Sequence, residues 1–398
     1  HGTVRLINWF RQIFLVTGFS IRSIPGRKGS AAAAMFGIAG VVAVMVSVLS
    51  IAQGILQTMN NSSSVENAVV LRSGASTEMM SGLSGDEADI IAEAPGIVND
   101  GEGPVASAEL FVIINLPKRA TGTDANVPMR GVHRQALEVR PGFAITDGRM
   151  FRWGLNEVIV GAGAHREFSG MEVGSEIEVG QERWTVVGVF EAAGGMAESE
   201  IWVDAAVLQP AYRRGNSYQS VYTRLEARDS FQAFKDALTA DPRLNVKVMR
   251  EQDYYFEQSS MVYNLITGLG TLIAVIMGFG ALFGALNTMY TAVSARTREI
   301  ATLRALGFKS GPVLISVMAE SMLLAIIGGV IGAGLAWLAF DGFQTSTLNW
   351  STFSAMTFSF DVNLPLLIQG IVFATLIGLF GGLFPAIRAV RQPVAMAL

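Results

Sequence analysis

Four long stretches of this sequence are almost free of charged side chains, and they constrain the fold more than any other feature. No Asp, Glu, Lys or Arg occurs over Gly29–Val65 or Gln258–Ala295, stretches of 37 and 38 residues. Two later stretches hold one acid each, Glu320 and Asp361. Because about 20 apolar residues in a helix cross the bilayer core, the sequence predicts an integral membrane protein. The four predicted transmembrane helices cover 31–57, 264–293, 312–340 and 364–387.

The Lys and Arg residues indicate how the chain is oriented. Three segments, 1–30, 294–311 and 388–398, hold 11 of the 29 basic residues. Because basic loops stay on the cytoplasmic side, we expect both termini and the loop between the second and third spans to be cytoplasmic. The loop at 341–363 has two acids and no base, and the block at 58–261 carries 29 acids against 18 bases. Both are predicted to face outside.

Two further helices are predicted next to the spans. Residues 3–22 place apolar side chains on one broad face, which predicts an amphipathic helix on the inner leaflet, with a plain basic flank as the alternative. Glu251–Val262 is predicted to run on as a helix into the second span and to form a stalk. Its Tyr254 and Tyr255 also fit an interfacial aromatic belt.

The outer block is long enough for its own core. Leu83–Ala94 is predicted to be a helix that begins with a capping box of Ser84 and Glu87. This helix and a second one at Asp229–Leu238 give two β-α-β units, at the two ends of the block, which combine as one split sheet. The strands expected there are 68–71, 97–98, 220–225 and 245–249. Between the units, about 105–215 favours strands punctuated by glycine. The predicted fold class is a membrane domain of four α-helices plus an α+β outer domain, whose split β-α-β part holds an inserted β-rich subdomain.

The sequence contains no motif for catalysis. It lacks the G-x-x-x-x-G-K-[ST] loop of ATP-binding proteins and the G-x-S-x-G elbow of hydrolases. Its three histidines, His1, His133 and His165, have no metal-ligand spacing. With no cysteine, the chain has no disulfide framework and no Cys-based zinc site. A net charge of −4, with basic residues at the membrane flanks, gives no support for nucleic-acid binding. We therefore expect no enzyme, and no catalytic, cofactor or metal site on this chain.

Small residues four apart recur inside the spans and let helix backbones approach closely. The predicted packing residues are Gly280, Gly284, Gly328, Gly332, Gly378 and Gly382. Either packing between spans of this chain or dimerisation would use them. Glu320, the one acid deep in a span, is a candidate for function or coupling, with a capping or pairing role as the alternative.

The cytoplasmic loop Ser294–Lys309 is predicted to be a short amphipathic helix. Its charged side chains and apolar ridge form a docking surface for a cytoplasmic partner, although a basic loop without a partner is the alternative. The candidate coupling residues are Arg296, Arg298, Glu299, Ile300, Leu303, Arg304, Leu306 and Gly307, the last as the glycine after the helix.

The stretch from Thr297 to Gly307 resembles the loop of FtsX-type ABC-transporter permeases, which commonly read R-x-x-E-I-G-x-x-R-A-x-G-A. Ala301 and Phe308 depart from that pattern, where glycine and alanine are usual. The closing pattern is also similar, with Pro385-Ala386 and then P-V-A-M-A-L at the end. In the outer block, the segments that resemble the periplasmic core domain of MacB-type exporters are Val139–Pro141, Gly148–Phe151, Val158–Gly161 and Trp184–Val189.

This resemblance implies a type VII, mechanotransmission permease without a fused ATPase domain, in a bacterial inner membrane. It implies a porter-like periplasmic part with a β insert, a homo- or heterodimer of permeases, and two separate ABC ATPases that bind ATP and Mg²⁺. A periplasmic adaptor and an outer-membrane duct are further partners that it allows. The implied function is ATP-driven export or extraction of a small molecule, peptide or lipoprotein. The alternative is an FtsX-like signal transducer that regulates a cell-wall hydrolase.

Overall fold

The computed structural model describes residues 12, 15, 17–18, 28–140, 142–295, 297–305, 310–349 and 352–391. The amphipathic helix predicted at 3–22 therefore lies almost wholly outside the described residues. The chain divides into two compact units. The helical unit runs up to Gln53 and then takes in Leu265–Phe343 and the chain from Asp361 onward. The sheet unit consists of Gly54–Asn264 and Gln344–Phe360.

Ten α-helices lie in the described residues. In chain order they are α1 (Lys28–Asn61), α2 (Gly85–Ala92), α3 (Ala136–Val139), α4 (Ala162–Glu167), α5 (Ala205–Ala211), α6 (Ser230–Ala240), α7 (Glu251–Ala295), α8 (Thr297–Ala305), α9 (Ser310–Phe340) and α10 (Leu364–Arg391).

Four of these helices, α1, α7, α9 and α10, are long and apolar enough to cross a membrane, in agreement with the number of spans that the sequence predicts. A helix satisfies its own backbone hydrogen bonds, which is what an apolar segment needs in lipid. The start of α10 is marked in the sequence by a capping residue, Asn363. Its side-chain oxygen accepts the N–H of Leu366 at 3.0 Å. Tight packing between α9 and α10 centres on small side chains such as Ala325 and Ala374, both fully buried.

The sheet unit is built from strands. In chain order they are β1 (Asn67–Arg72), β2 (Leu83–Ser84), β3 (Ala106–Pro117), β4 (Asp124–Val132), β5 (Phe143–Gly148), β6 (Glu157–Gly161), β7 (Glu176–Val179), β8 (Glu182–Ala192), β9 (Ile201–Asp204), β10 (Ser217–Tyr218), β11 (Ser220–Arg224), β12 (Val246–Arg250), β13 (Gln344–Asn349) and β14 (Ser354–Ser359).

Ten of these strands form one mixed sheet in the order β12-β1-β11-β3-β4-β9-β6-β8-β5, with β7 paired to β8. The long strand β3 pairs through Ala106–Glu109 with β11 and through Leu110–Pro117 with β4. Both groups of strands therefore share one sheet through β3. The inserted β-rich subdomain and the split β-α-β arrangement predicted from the sequence are not confirmed as separate parts.

Of the two local structures predicted near the start of the sheet unit, a capping box and a strand, only the capping box is present. Ser84 caps α2, and its capping box with Glu87 is present. The strand predicted at 97–98 is wrong, because Ile97 makes only an isolated bridge to Leu225. Asn99 makes a second isolated bridge, to Pro104. The side chains of Asn99 and Asp100 accept backbone N–H groups of the turn that follows, so no continuous strand forms there.

A hairpin was missed in the loop at 341–363. Strands β13 and β14 pair in register from Gln344–Ser359 to Asn349–Ser354 and belong to the sheet unit. Thr357 ties the hairpin to the unit, because its N–H donates to the Ser199 hydroxyl at 2.9 Å. The sequence of β13 is polar except for Leu348, so the alternation of apolar and polar residues that usually predicts a strand is absent.

Candidate functional site

The predicted coupling helix is present as α8 and lies against the ends of three long helices. Ile300 and Ala301 are buried. Ile300 packs in a cluster with Met289 of α7, Val313 of α9 and Ala386 of α10. A displacement of α8 would therefore act on all three helices at once.

The other predicted coupling residues divide into two groups. Arg298 is described and is exposed. Arg296, Leu306 and Gly307 lie outside the described residues, as do the side chains of Glu299, Leu303 and Arg304. The described part of α8 thus combines an apolar anchor with one exposed cation.

Glu320 is 3% exposed and lies on α9. Its neighbour Ser321 donates a hydrogen bond from its hydroxyl to the carbonyl of Gly378 on α10, at 2.7 Å. Ser321 therefore joins α9 to α10 directly beside Glu320 in the sequence.

Four of the predicted packing glycines lie where another helix backbone comes close. A Cβ on Gly328 would come within 2.8 Å of the Met35 carbonyl oxygen of α1, and one on Gly332 would overlap the Ala39 carbonyl. On α10, a Cβ on Gly378 or Gly382 would press on Ser321.

The other two predicted packing glycines, Gly280 and Gly284, meet no described atom within 4 Å of such a Cβ. They lie on the exposed side of α7, among large apolar side chains. These side chains are Leu265, Leu269, Leu272, Ile276, Phe279 and Phe283. An exposed apolar surface of this kind suits lipid or a second membrane helix.

The sheet unit contains a buried charge cluster centred on Arg130 of β4, which is 2% exposed. The Arg130 guanidinium donates to both oxygens of Glu78, at 2.7 and 3.0 Å. It donates to both oxygens of Glu200, at 2.7 and 2.8 Å, and to Glu109 of β3 at 2.9 Å. The guanidinium thus makes five hydrogen bonds to three carboxylates, and a charge is retained in a protein interior when it is paired and hydrogen-bonded in this way.

A second arginine completes the buried charge cluster. Arg140 donates to the two carboxylate oxygens of Glu109, at 3.0 and 2.6 Å. Its guanidinium lies 4.2 Å from the ring centre of Tyr222, and that of Arg130 lies 4.9 Å from the ring centre of Phe111. Burial alone raises the pKa of Glu78, but the charge of Arg130 and its hydrogen bonds outweigh burial and leave this pKa below its ordinary value.

The first turn of α7 joins the cluster, thirteen residues before the predicted membrane segment at 264. The Glu78 N–H donates to the Tyr254 hydroxyl at 3.2 Å. One carboxylate oxygen of Glu251 accepts the N–H of Ser64 at 3.0 Å and the side-chain N–H of Asn67 at 2.8 Å. Burial raises the pKa of Glu251 to about 7, against the opposing charge of Arg140 and these two hydrogen bonds.

Sequence reasoning did not find the charge cluster, because the partners of Arg130 lie 21 to 70 residues away. One local signal was present: Arg130 and Glu109 each interrupt an apolar strand, and a charge in such a strand must be paired if it is buried. Among the described residues, no group of His, Asp and Glu side chains is arranged to hold a metal ion.

Residues 31–241 of this sequence match the MacB-like periplasmic core domain, which covers more than half of the chain. Residues 271–394 match the FtsX-like permease C-terminal domain. The second match includes α8, α9 and α10, where the coupling helix and Glu320 lie.

Among curated proteins, one similar relative is the macrolide export ATP-binding/permease protein MacB of Vibrio parahaemolyticus, 25% identical over 394 residues. The match covers 92% of this chain and 56% of that protein. The uncharacterized ABC transporter permease YknZ of Bacillus subtilis is 24% identical over 230 residues, 54% of this chain and 53% of that protein. The chain thus spans about half the length of the curated relatives it matches.

Among solved structures, the periplasmic region of MacB from Actinobacillus actinomycetemcomitans gives a TM-score of 0.37 at 10% identity, over 53% of this chain and 98% of that one. The extracellular domain of YknZ from Gram-positive bacteria gives a TM-score of 0.36 at 16% identity, over 46% of this chain and 99% of that one.

Proposed function

This chain belongs to the family of membrane proteins with a MacB-like periplasmic core domain, and from that premise we propose that it works as the permease of an ABC transporter. In the proposed cycle, an ABC ATPase binds ATP and Mg²⁺ and moves the cytoplasmic side of the permease. The membrane helices pass that movement to the periplasmic domain. The domain then drives export or extraction of a small molecule, a peptide or a lipoprotein.

The observation that supports this proposal best is the placement of α8. Ile300 anchors α8 against α7, α9 and α10, while Arg298 is exposed. A helix held in this way can accept a push from a docked ATPase and distribute it to three membrane helices. The match to the FtsX-like permease C-terminal domain covers the same region.

We further propose a dimer of permeases with two ATPases. The exposed apolar side of α7 around Gly280 and Gly284 is suited to a second copy or a second permease, because small residues permit close helix contact. A periplasmic adaptor and an outer-membrane duct would complete an exporter of this kind. Location in a bacterial inner membrane, with both termini in the cytoplasm, is part of the same proposal.

The experiment is to purify the tagged chain in mild detergent, identify what co-purifies and measure ATP hydrolysis. Arg298→Glu is expected to release the ATPase and to lower hydrolysis, because it reverses the exposed charge of α8. Arg391→Glu, an exposed reversal at the end of α10, is the matched control and should leave the complex intact.

Three results distinguish the functional alternatives. An ATPase together with an adaptor or lipoproteins would support cargo handling. An ATPase together with a cell-wall hydrolase would favour the FtsX-like signal transducer. If no ATPase is found with the wild-type chain, the proposed function is wrong.

A further inference from the structure

The first turns of α7 are the part of the second membrane helix that belongs to the sheet unit. Residues Glu251–Asn264 of α7 lie in this unit, and the helix begins directly after strand β12. These turns are continuous with the rest of α7 along the chain. How they are fixed therefore determines whether the sheet follows the helix or the helix bends away from it.

Two side chains on one face of α7, Glu251 and Tyr254, fix its first turn. Glu251 binds the Ser64 N–H and the Asn67 amide, so it holds the segment that follows α1 and the start of β1. Asn67 also donates to the carbonyl of Val139, which extends this contact to α3. Both Glu251 and Asn67 are at most 1% exposed, so water does not compete for these hydrogen bonds.

Tyr254, one turn later, makes the second attachment. Its hydroxyl accepts the N–H of Glu78, and Glu78 is held by Arg130 through two hydrogen bonds and by the hydroxyl of Ser220. Arg130 in turn holds Glu109 of β3 and Glu200, the residue before β9. The hydroxyl of Tyr254 is thus connected through Glu78 to Arg130 of β4, in the middle of the sheet.

We propose that Glu251 and Tyr254 are positioning residues that clamp the first turn of α7 to the sheet, so that α7 and the sheet move as one body. The purpose of this clamp, to transmit movement to the periplasmic domain, rests on the proposed function. The clamp itself is a property of the sheet unit and does not depend on an ATPase.

The neighbouring Tyr222 offers a matched control. Its ring is buried in the same cluster beside Arg140, but its hydroxyl has no hydrogen-bond partner among the described residues. Tyr222→Phe and Tyr254→Phe therefore make the same chemical change in the same surroundings. Only the second removes an attachment of α7.

The experiment measures the distance between two spin labels in the full chain in lipid nanodiscs. The chain has no cysteine of its own, so Ala233→Cys on α6 and Met261→Cys on α7, both at exposed positions, take one label each. The wild-type background should give a narrow distance distribution, and Tyr222→Phe should keep it. Tyr254→Phe should broaden the distribution, because the helix loses its attachment to Glu78.

Glu251 is tested with two variants. Glu251→Met, which cannot accept hydrogen bonds, should broaden the distribution, and Glu251→Gln, which still can, should keep it narrow. Thermal melts of each variant, followed by the fluorescence of buried Trp184 and Trp202, verify that the sheet unit is folded. Narrow distributions in folded Tyr254→Phe and Glu251→Met would overturn the clamp. Because no ATPase is present, this result is independent of the proposed function.

Discussion

At the scale of single residues, the sheet unit depends most on the pairing of one buried cation, Arg130. Its guanidinium holds three carboxylates in a space from which water is excluded. Such a group is stable only while all partners remain, because a buried charge without its counterion is strongly unfavourable. The cluster therefore concentrates much of the sensitivity of this unit to mutation in a few positions.

We expect Arg130→Met to destabilise the sheet unit by about 3–5 kcal/mol, because Glu78 and Glu200 would be left buried without their cation. Melting of the purified protein, followed by Trp fluorescence, should show the loss. Arg183→Met is the control, since the Arg183–Glu178 pair is exposed and is worth about 0–1 kcal/mol. Equal melting temperatures for the two variants would contradict the role given to the cluster.

Glu251 predicts a dependence of stability on pH. Its pKa of about 7 in the folded chain lies above the ordinary value of 4.5, so the folded state holds a proton that the unfolded state loses first. Its contribution is fully present below pH 4.5 and is lost as the pH rises through 7. Relative to Glu251→Gln, the wild type should lose up to about 3 kcal/mol between pH 4.5 and 8. Parallel melting curves for both proteins over this range would contradict the assignment.

At the scale of elements, the membrane helices follow directly from the sequence, because hydropathy is a local property of about 20 residues. Their contacts do not follow as directly. The glycine pairs of α9 and α10 face other helices of the same chain, whereas the similar pair of α7 faces none that is described. The spacing of the glycines is the same in all three helices, so only the packed structure shows which pairs contact another helix of the chain.

A pair of variants in α9 tests this distinction. We expect Gly332→Val to destabilise the helical unit by roughly 1–3 kcal/mol or more, because its side chain would overlap the Ala39 carbonyl of α1. Gly334→Val in the same helix has open space around it and should have little effect. For each variant, the yield of folded, monodisperse protein and its melting temperature measure the loss of stability. If the two variants behave alike, the α1–α9 contact is not as described.

At the scale of the whole molecule, the orientation predicted from Lys and Arg is open to a direct test. The chain has no cysteine, so single cysteines can be placed at Ala233 of the sheet unit and at Arg298 of α8. In intact cells whose outer membrane has been made permeable, a membrane-impermeant maleimide should label Ala233→Cys. Arg298→Cys should react only after the inner membrane is opened. The reverse pattern would invert the topology.

The sequence by itself determined the number of long apolar helices, the capping box of α2 and the family of the chain. These features depend on local hydropathy, local hydrogen bonding and contiguous motifs. Only the tertiary structure decided that β3 joins two groups of strands in one sheet, that the loop after α9 pairs as a hairpin, and that Arg130 collects Glu78, Glu109 and Glu200. Those features depend on which distant residues meet, and a charge in a strand does not reveal its partner until the strands are paired.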